Sequence, residues 1–143
     1  MEHPKHILEK YGFSPKKSLG QNFIYDAYVL AKIAASAELT PDDDVLEIGP
    51  GLGALTRHLA HAAKRVVAVE LDGRLTPILQ KQLVDYANVE LVEGDVLEFD
   101  PADYFQNDYK VVANVPYYIT GAILRHLLSG PSKPTVVVMT VQQ

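Results

Sequence analysis

Residues 45–54 read Val45-Leu46-Glu47-Ile48-Gly49-Pro50-Gly51-Leu52-Gly53-Ala54, and residues 65–70 read Arg65-Val66-Val67-Ala68-Val69-Glu70. Val45 to Ile48 is a short apolar run of strand type. The glycines after it permit a tight turn, and the segment from about Ala54 to Ala63 has the pattern of a helix. Arg65 to Glu70 is a second strand. This strand, glycine turn, helix and strand set a rhythm that continues down the chain. Thr76-Pro77 predicts the N-cap and first position of a helix reaching about Tyr86. Val89 to Val92 is a third strand and Lys110 to Ala113 a fourth. Thr120 opens a helix that Gly130 closes, and Thr135 to Val141 is a fifth strand. Upstream, Asp26 is placed to cap a helix from Ala27 to about Glu38, which Thr40-Pro41 ends. The first 25 residues read as loop, with Pro4, Gly12, Pro15 and Gly20 as punctuation. Strands alternating with helices predict an α/β fold, a doubly wound and mostly parallel sheet with helices on both faces. The strands are unbroken apolar runs, as burial on both faces demands. In such sheets ligands bind beyond the carboxyl ends of the strands, so the residues following each strand carry the functional argument.

Composition narrows the classes. The chain has 143 residues, a formal net charge of −5 and no cysteine. Disulfides and thiolate metal sites are excluded, and a reducing, cytoplasmic setting is expected. No apolar run approaches the ~20 residues of a membrane span, and the polar N-terminus lacks a signal-peptide core. The acidic balance argues mildly against a nucleic-acid binder. The charge is uneven, however: Lys5, Lys10, Lys16 and Lys17 precede Gln21, against Glu2 and Glu9. A basic arm on an acidic body can touch phosphate; a solvated lysine-rich tail is the plainer reading. The expected organisation is an arm over 1–25 and a ligand-binding domain over 26–143. The chain stops directly after an apolar strand, which suggests part of a longer protein.

The glycine turn leaves two patterns open. Gly49, Gly51 and Ala54 fit the dinucleotide fingerprint, whereas Gly49, Gly51 and Gly53 fit the G-x-G-x-G loop of methyltransferases. Glu70 ends the next strand, where a carboxylate can accept from both ribose hydroxyls. Asp95, in Glu93-Gly94-Asp95, follows the third strand and can accept from an adenine amine. Together they outline an adenosine pocket. The deciding stretch is Asn114-Val115-Pro116-Tyr117-Tyr118, which resembles the signatures of enzymes that methylate exocyclic amines of bases. The adenine N6 lone pair is delocalised into the ring, so the amine is a poor nucleophile. The Asn114 side-chain oxygen and the Pro116 carbonyl can hold its two N–H groups and draw the nitrogen toward sp³ character. Tyr117 can stack on the extruded base.

Gln21-Asn22-Phe23, E-I-G-P-G-L-G, V-E-L-D, E-G-D and N-V-P-Y occur in that order. Together they resemble the ribosomal RNA adenine dimethyltransferases from Leu19 onward. The resemblance implies a class I S-adenosylmethionine-dependent methyltransferase fold, cut after about the fifth strand. Two more strands and a helical C-terminal domain would follow. Asn22 and the backbone of Ile24 would close over the methionine end of S-adenosylmethionine, with Gly49 approaching that end. Glu70 would hold the ribose, Asp95 the adenine, and Asn114 would border both cofactor and target amine. The substrate implied is two adjacent adenosines in a 3′-terminal hairpin loop of small-subunit ribosomal RNA. The partner is then the assembling small subunit, with no membrane and a monomeric enzyme. The lysine-rich segment from Lys5 to Lys17, with Gln21, would lie near the RNA entrance. Val115 replaces the usual Leu or Ile without consequence, and Tyr118 stands where Asn is common, beside the base pocket. Leu52 replaces the lysine usual in erythromycin-resistance methyltransferases, which favours the housekeeping enzyme.

Other features carry less. His58 and His61 lie one turn apart but lack a third ligand. Asp42 to Asp44 lacks the spacing of a calcium loop. No metal site and no nucleophile-base constellation is expected. Two rival readings stand. An NAD-dependent oxidoreductase explains Gly49, Gly51, Ala54 and Glu70 but leaves residues 114–118 idle. A non-catalytic ribosome assembly or transcription factor leaves Asn114, Pro116 and Tyr117 without a role.

Overall fold

The computed structural model describes residues 4–12 and 26–142. Its centre is a five-stranded sheet in the order β3-β2-β1-β4-β5, with every neighbouring pair parallel. The strands are β1 (Asp44–Ile48), β2 (Arg65–Glu70), β3 (Val89–Glu93), β4 (Tyr109–Pro116) and β5 (Val136–Gln142). The helices are α1 (Pro4–Lys10), α2 (Ala27–Ser36), α3 (Ala54–Ala62), α4 (Thr76–Gln82) and α5 (Thr120–Ser129). From β1 the chain winds outward to β2 and β3, then returns to the other side of β1 for β4 and β5. The order therefore reverses between β1 and β4, where Ile48 pairs with Ala113.

Alternation along the strands sends side chains to two cores. Val45, Val66 and Val112 meet Leu30 and Ile33 of α2 and Leu55 and Leu59 of α3. Leu46, Val67, Val111 and Ala113 meet Phe99, Phe105 and, from α5, Ile123 and Leu127. Asp26 caps α2, accepting from the amides of Tyr28 and Val29 at 2.9 and 3.3 Å. That cap sets where the helix starts and so where Leu30 points.

Three expectations need correction. Residues 4–10 form α1 rather than loop, because Ile7 and Leu8 are buried against Leu52, Leu75, Ile78, Leu79 and Leu83. A helix of this length is marginal alone, so packing sustains it. Thr76 does not cap α4; Leu75 occupies that place, and the helix ends at Gln82 rather than near Tyr86. The Thr76 hydroxyl instead donates to Glu93 Oε1 at 2.7 Å. Finally, β4 runs on through Pro116, because β5 pairs with it as far as Pro116 with Gln142. Asn114 to Pro116 are thus the last residues of a strand and not a loop after it.

If α1 belongs to the core, Ile7→Ala should lower stability by about 2–5 kcal/mol. Urea unfolding would show a reduced midpoint with an unchanged slope. An unmoved midpoint would detach α1 from the domain.

Candidate functional site

The site forms where the sheet order reverses. Gly49, Gly51 and Gly53 all have positive φ, at 74°, 61° and 87°, a region open to glycine at little cost. The requirement at Gly49 is also steric: a Cβ there would stand 2.7 Å from the Asn114 carbonyl oxygen. Two main chains thus approach at the tips of β1 and β4. The Gly49 amide donates to the Val69 carbonyl at 3.0 Å, carrying the ladder with β2 one residue past the strand. Gly53 then stands at the N-cap of α3, where it offers no side chain to cap the first-turn amides. Leu30, Gly49, Pro50, Gly51, Leu52, Ala54, Leu55 and Asn114 line one small hollow.

Glu70 closes the next position along the sheet. It is 9% exposed, and its Oε1 accepts from the Gly51 amide at 3.3 Å while Oε2 accepts from the Asp72 amide at 2.9 Å. Burial raises its carboxyl above the ordinary range, and the backbone donors partly oppose this. Asp95 is half-buried. Its Oδ1 accepts from the Leu97 amide at 2.9 Å and caps a 3-10 turn over Val96–Glu98. The Gly94 amide donates to the Glu70 carbonyl at 2.9 Å, which ties the Asp95 turn to the end of β2. The structure thus places Gly49, Gly51, Glu70, Asp95 and Asn114 along one rim, at the carboxyl ends of four neighbouring strands.

Asn114 and Pro116 share a strand end and alternate with Val115, which is buried in the α5-side core. Asn114 belongs to the opposite face and lines the hollow with Leu30. Pro116 has φ −61° and ψ 145° and leads into a 3-10 turn, Tyr117–Ile119. Tyr117 and Tyr118 stand 62% and 63% exposed on that turn. Asn22 and Ile24 lie outside the described residues, as do Lys16, Lys17 and Gln21. His61 is placed edge-on to Tyr86, with ring centroids 5.4 Å apart. Among the described residues no group of three or more His, Cys, Asp or Glu could hold a metal. No described helix is long and apolar enough to cross a membrane.

Two acidic residues quoted in the motifs were given no role by sequence reasoning. Asp72 is 6% exposed and pairs with Arg74 at 2.8 Å. Glu47 is 1% exposed; its Oε1 accepts the Thr56 hydroxyl from the first turn of α3, and its Oε2 is buried without a partner. The signal was present as one charged residue inside an otherwise apolar strand, but such a strand does not reveal how that charge is satisfied.

The family model described as ribosomal RNA adenine dimethylase matches residues 12–143. The chain is 51% identical over 140 residues to ribosomal RNA small subunit methyltransferase A of Ligilactobacillus salivarius, covering 93% of this chain and 47% of that protein. Among solved structures, the 23S rRNA methyltransferase ErmE superposes with a TM-score of 0.75 and 40% identity, over 85% of this chain and 48% of that one. A dimethyladenosine transferase from Plasmodium falciparum gives a TM-score of 0.74 and 30% identity, over 85% and 44%. The fold is thus that of the class I methyltransferases. The chain spans about half the length of the curated relatives it matches.

Glu47 offers a direct check of the site's electrostatics. Burial pushes its carboxyl from 4.5 up to about 8. The folded chain keeps this proton where the unfolded chain has lost it, so stability falls as pH rises from about 4.5 to about 8. Glu47→Gln keeps a neutral group of similar shape and removes the titration. In urea unfolding across that range, the advantage of the variant over the parent should grow with pH and level off above the upper limit. A difference independent of pH would mean that Glu47 is ionised in the fold.

Proposed function

Because the chain belongs to the ribosomal RNA adenine dimethylase family, we propose that it is the cofactor-binding half of an S-adenosylmethionine-dependent enzyme that methylates N6 of two adjacent adenosines. Those adenosines lie in a 3′-terminal hairpin loop of small-subunit ribosomal RNA, and the partner is the assembling small subunit. The observation that carries the reading is the meeting of Gly49 with Asn114 at the reversal of strand order. It supports the reading because the rim proposed for the cofactor then borders the motif proposed for an exocyclic amine.

The residues present suit the cofactor. The Glu70 oxygens already accept backbone amides, yet a carboxylate has about four accepting sites and keeps room for a ribose hydroxyl. Asp95 uses Oδ1 in its turn and can offer Oδ2 to the adenine amine. The positive-φ glycines bring main chain to the hollow without side chains in the way, and Asn22 and Ile24 would complete its methionine end. When bound, S-adenosylmethionine supplies an electrophilic methyl on a sulfonium. The chain's own task is to prepare the nucleophile. Asn114 and the Pro116 carbonyl accept the two N–H groups of N6, and Pro116 fixes the direction of its carbonyl through its ring. Tyr117 stacks on the base. Catalysis by this means is positioning plus polarisation, without a covalent enzyme intermediate. The lysines between Lys5 and Lys17 would meet the RNA backbone.

An NAD-dependent oxidoreductase gains nothing from residues 114–118, and a non-catalytic assembly factor has no use for Asn114 beside the hollow. Calorimetry with S-adenosylmethionine and NAD separates the first of these. Binding should be selective for S-adenosylmethionine and weaken about 10- to 100-fold in Glu70→Ala, as for loss of a charged hydrogen-bonding partner. Binding of NAD instead would overturn the cofactor assignment. In the whole protein, Asn114→Ala should lower kcat for adenosine methylation by about 10²–10³-fold. Undiminished turnover would remove Asn114 from the chemistry.

A further inference from the structure

We infer that Tyr118 is a second stacking platform, holding the base that adjoins the one presented to Asn114, Pro116 and Tyr117. The inference rests on the reading under Proposed function and deepens it. Tyr117 and Tyr118 are consecutive, yet both rings are more than half exposed, at 62% and 63%. Their turn is held from both ends. Pro116 closes β4 before it, and Ile119 packs against the core under α5 after it. The two rings are thus presented by a short turn fixed to the sheet.

The rings meet edge to face, with centroids 6.1 Å apart and planes at 82°. Each ring keeps at least one face that the other does not cover, and the two faces are nearly perpendicular. That arrangement matches the geometry of extrusion. A base drawn from its stack turns away from its neighbour, so two adjoining bases at the site do not lie parallel. A perpendicular pair of platforms can take one each, whereas two coplanar rings would suit bases still stacked on one another. Single-stranded RNA is commonly held by stacking of its bases on aromatic faces, a contact that needs no positive potential. The Tyr118 ring centroid lies 6.1 Å from that of Tyr117, close enough for bases on the two rings to be neighbouring nucleotides of one strand. In a substrate of two adjacent adenosines, that neighbour is the second target.

The test is methylation by the whole protein of an RNA hairpin with one target adenosine. Its flanking position on the 5′ or the 3′ side is either intact or abasic. On intact RNA, Tyr118→Ala should raise KM about tenfold with little change in kcat, the size of one base-aromatic stack, and Tyr118→Phe should restore it. With the abasic site on the side Tyr118 reads, parent and Tyr118→Ala should have the same KM. Equal losses on intact and on both abasic RNAs would mean that Tyr118 only supports the turn, and no loss on intact RNA would mean that it touches no base. Either result overturns the inference while leaving the methyltransferase reading in place. Failure of the parent to methylate its adenosines both in the intact hairpin and in unmodified small subunits would overturn that reading, and this inference with it.

Discussion

The approach of the Gly49 main chain to the Asn114 carbonyl is the constraint on which the site depends. It exists because β1 and β4 are neighbours although the order of strands reverses between them. On one side of the contact lie the glycine turn, Glu70 and Asp95; on the other lie Asn114, Pro116 and Tyr117. The parallel register of Ile48 with Ala113 brings both groups to the same edge of the sheet. Neither group by itself supplies both halves of the proposed site.

Three carboxylates crowd beneath and beside this edge, and each is made tolerable differently. Asp72 is paired with Arg74. Glu47 keeps its proton, with its carboxyl at about 8. Glu70 is ringed by backbone donors from Asp72, Gly51 and Leu71. Burying a charge is costly unless it is paired or hydrogen-bonded, and these are three separate solutions to that cost. They also divide the work. Asp72 is occupied by its ion pair, and Glu47 is enclosed under α3. Glu70 sits at the rim with accepting capacity left, consistent with the role in ribose binding proposed for it.

The strands were the most legible part of the fold. Arg65–Glu70 is found where the run of β-branched residues places it, because a strand covered on both faces must be apolar throughout. Segment 4–10 was not legible. Pro4 and Gly12 read as punctuation, and the burial of Ile7 and Leu8 depends on Leu52 and Leu75, distant residues that no local pattern announces. The end of β4 is hidden for a related reason. Proline cannot donate to a ladder and so argues against a strand, but Pro116 is the final residue of β4 and pairs with Gln142 on a partner visible only once the sheet is assembled. Glu70 and Asp95 stood out because strand ends are where ligands bind in this architecture. Glu47 did not, because its meaning lies in Thr56 and in the absence of a partner for Oε2.

The order of strands also has a consequence in time. β1, β2 and β3 precede β4 in the chain, and pairings between elements near in sequence form ahead of distant ones. Glu70, Gly51 and Asp95 can therefore be brought together before Asn114 and Pro116 join them. Joining them requires β4 to dock beside β1, closing a long loop, which is the slow kind of event in folding. A folding chain would thus pass through a stage with the rim proposed for the cofactor but without the residues proposed to hold a base. The proposed site would be completed in one step, with the docking of a single strand.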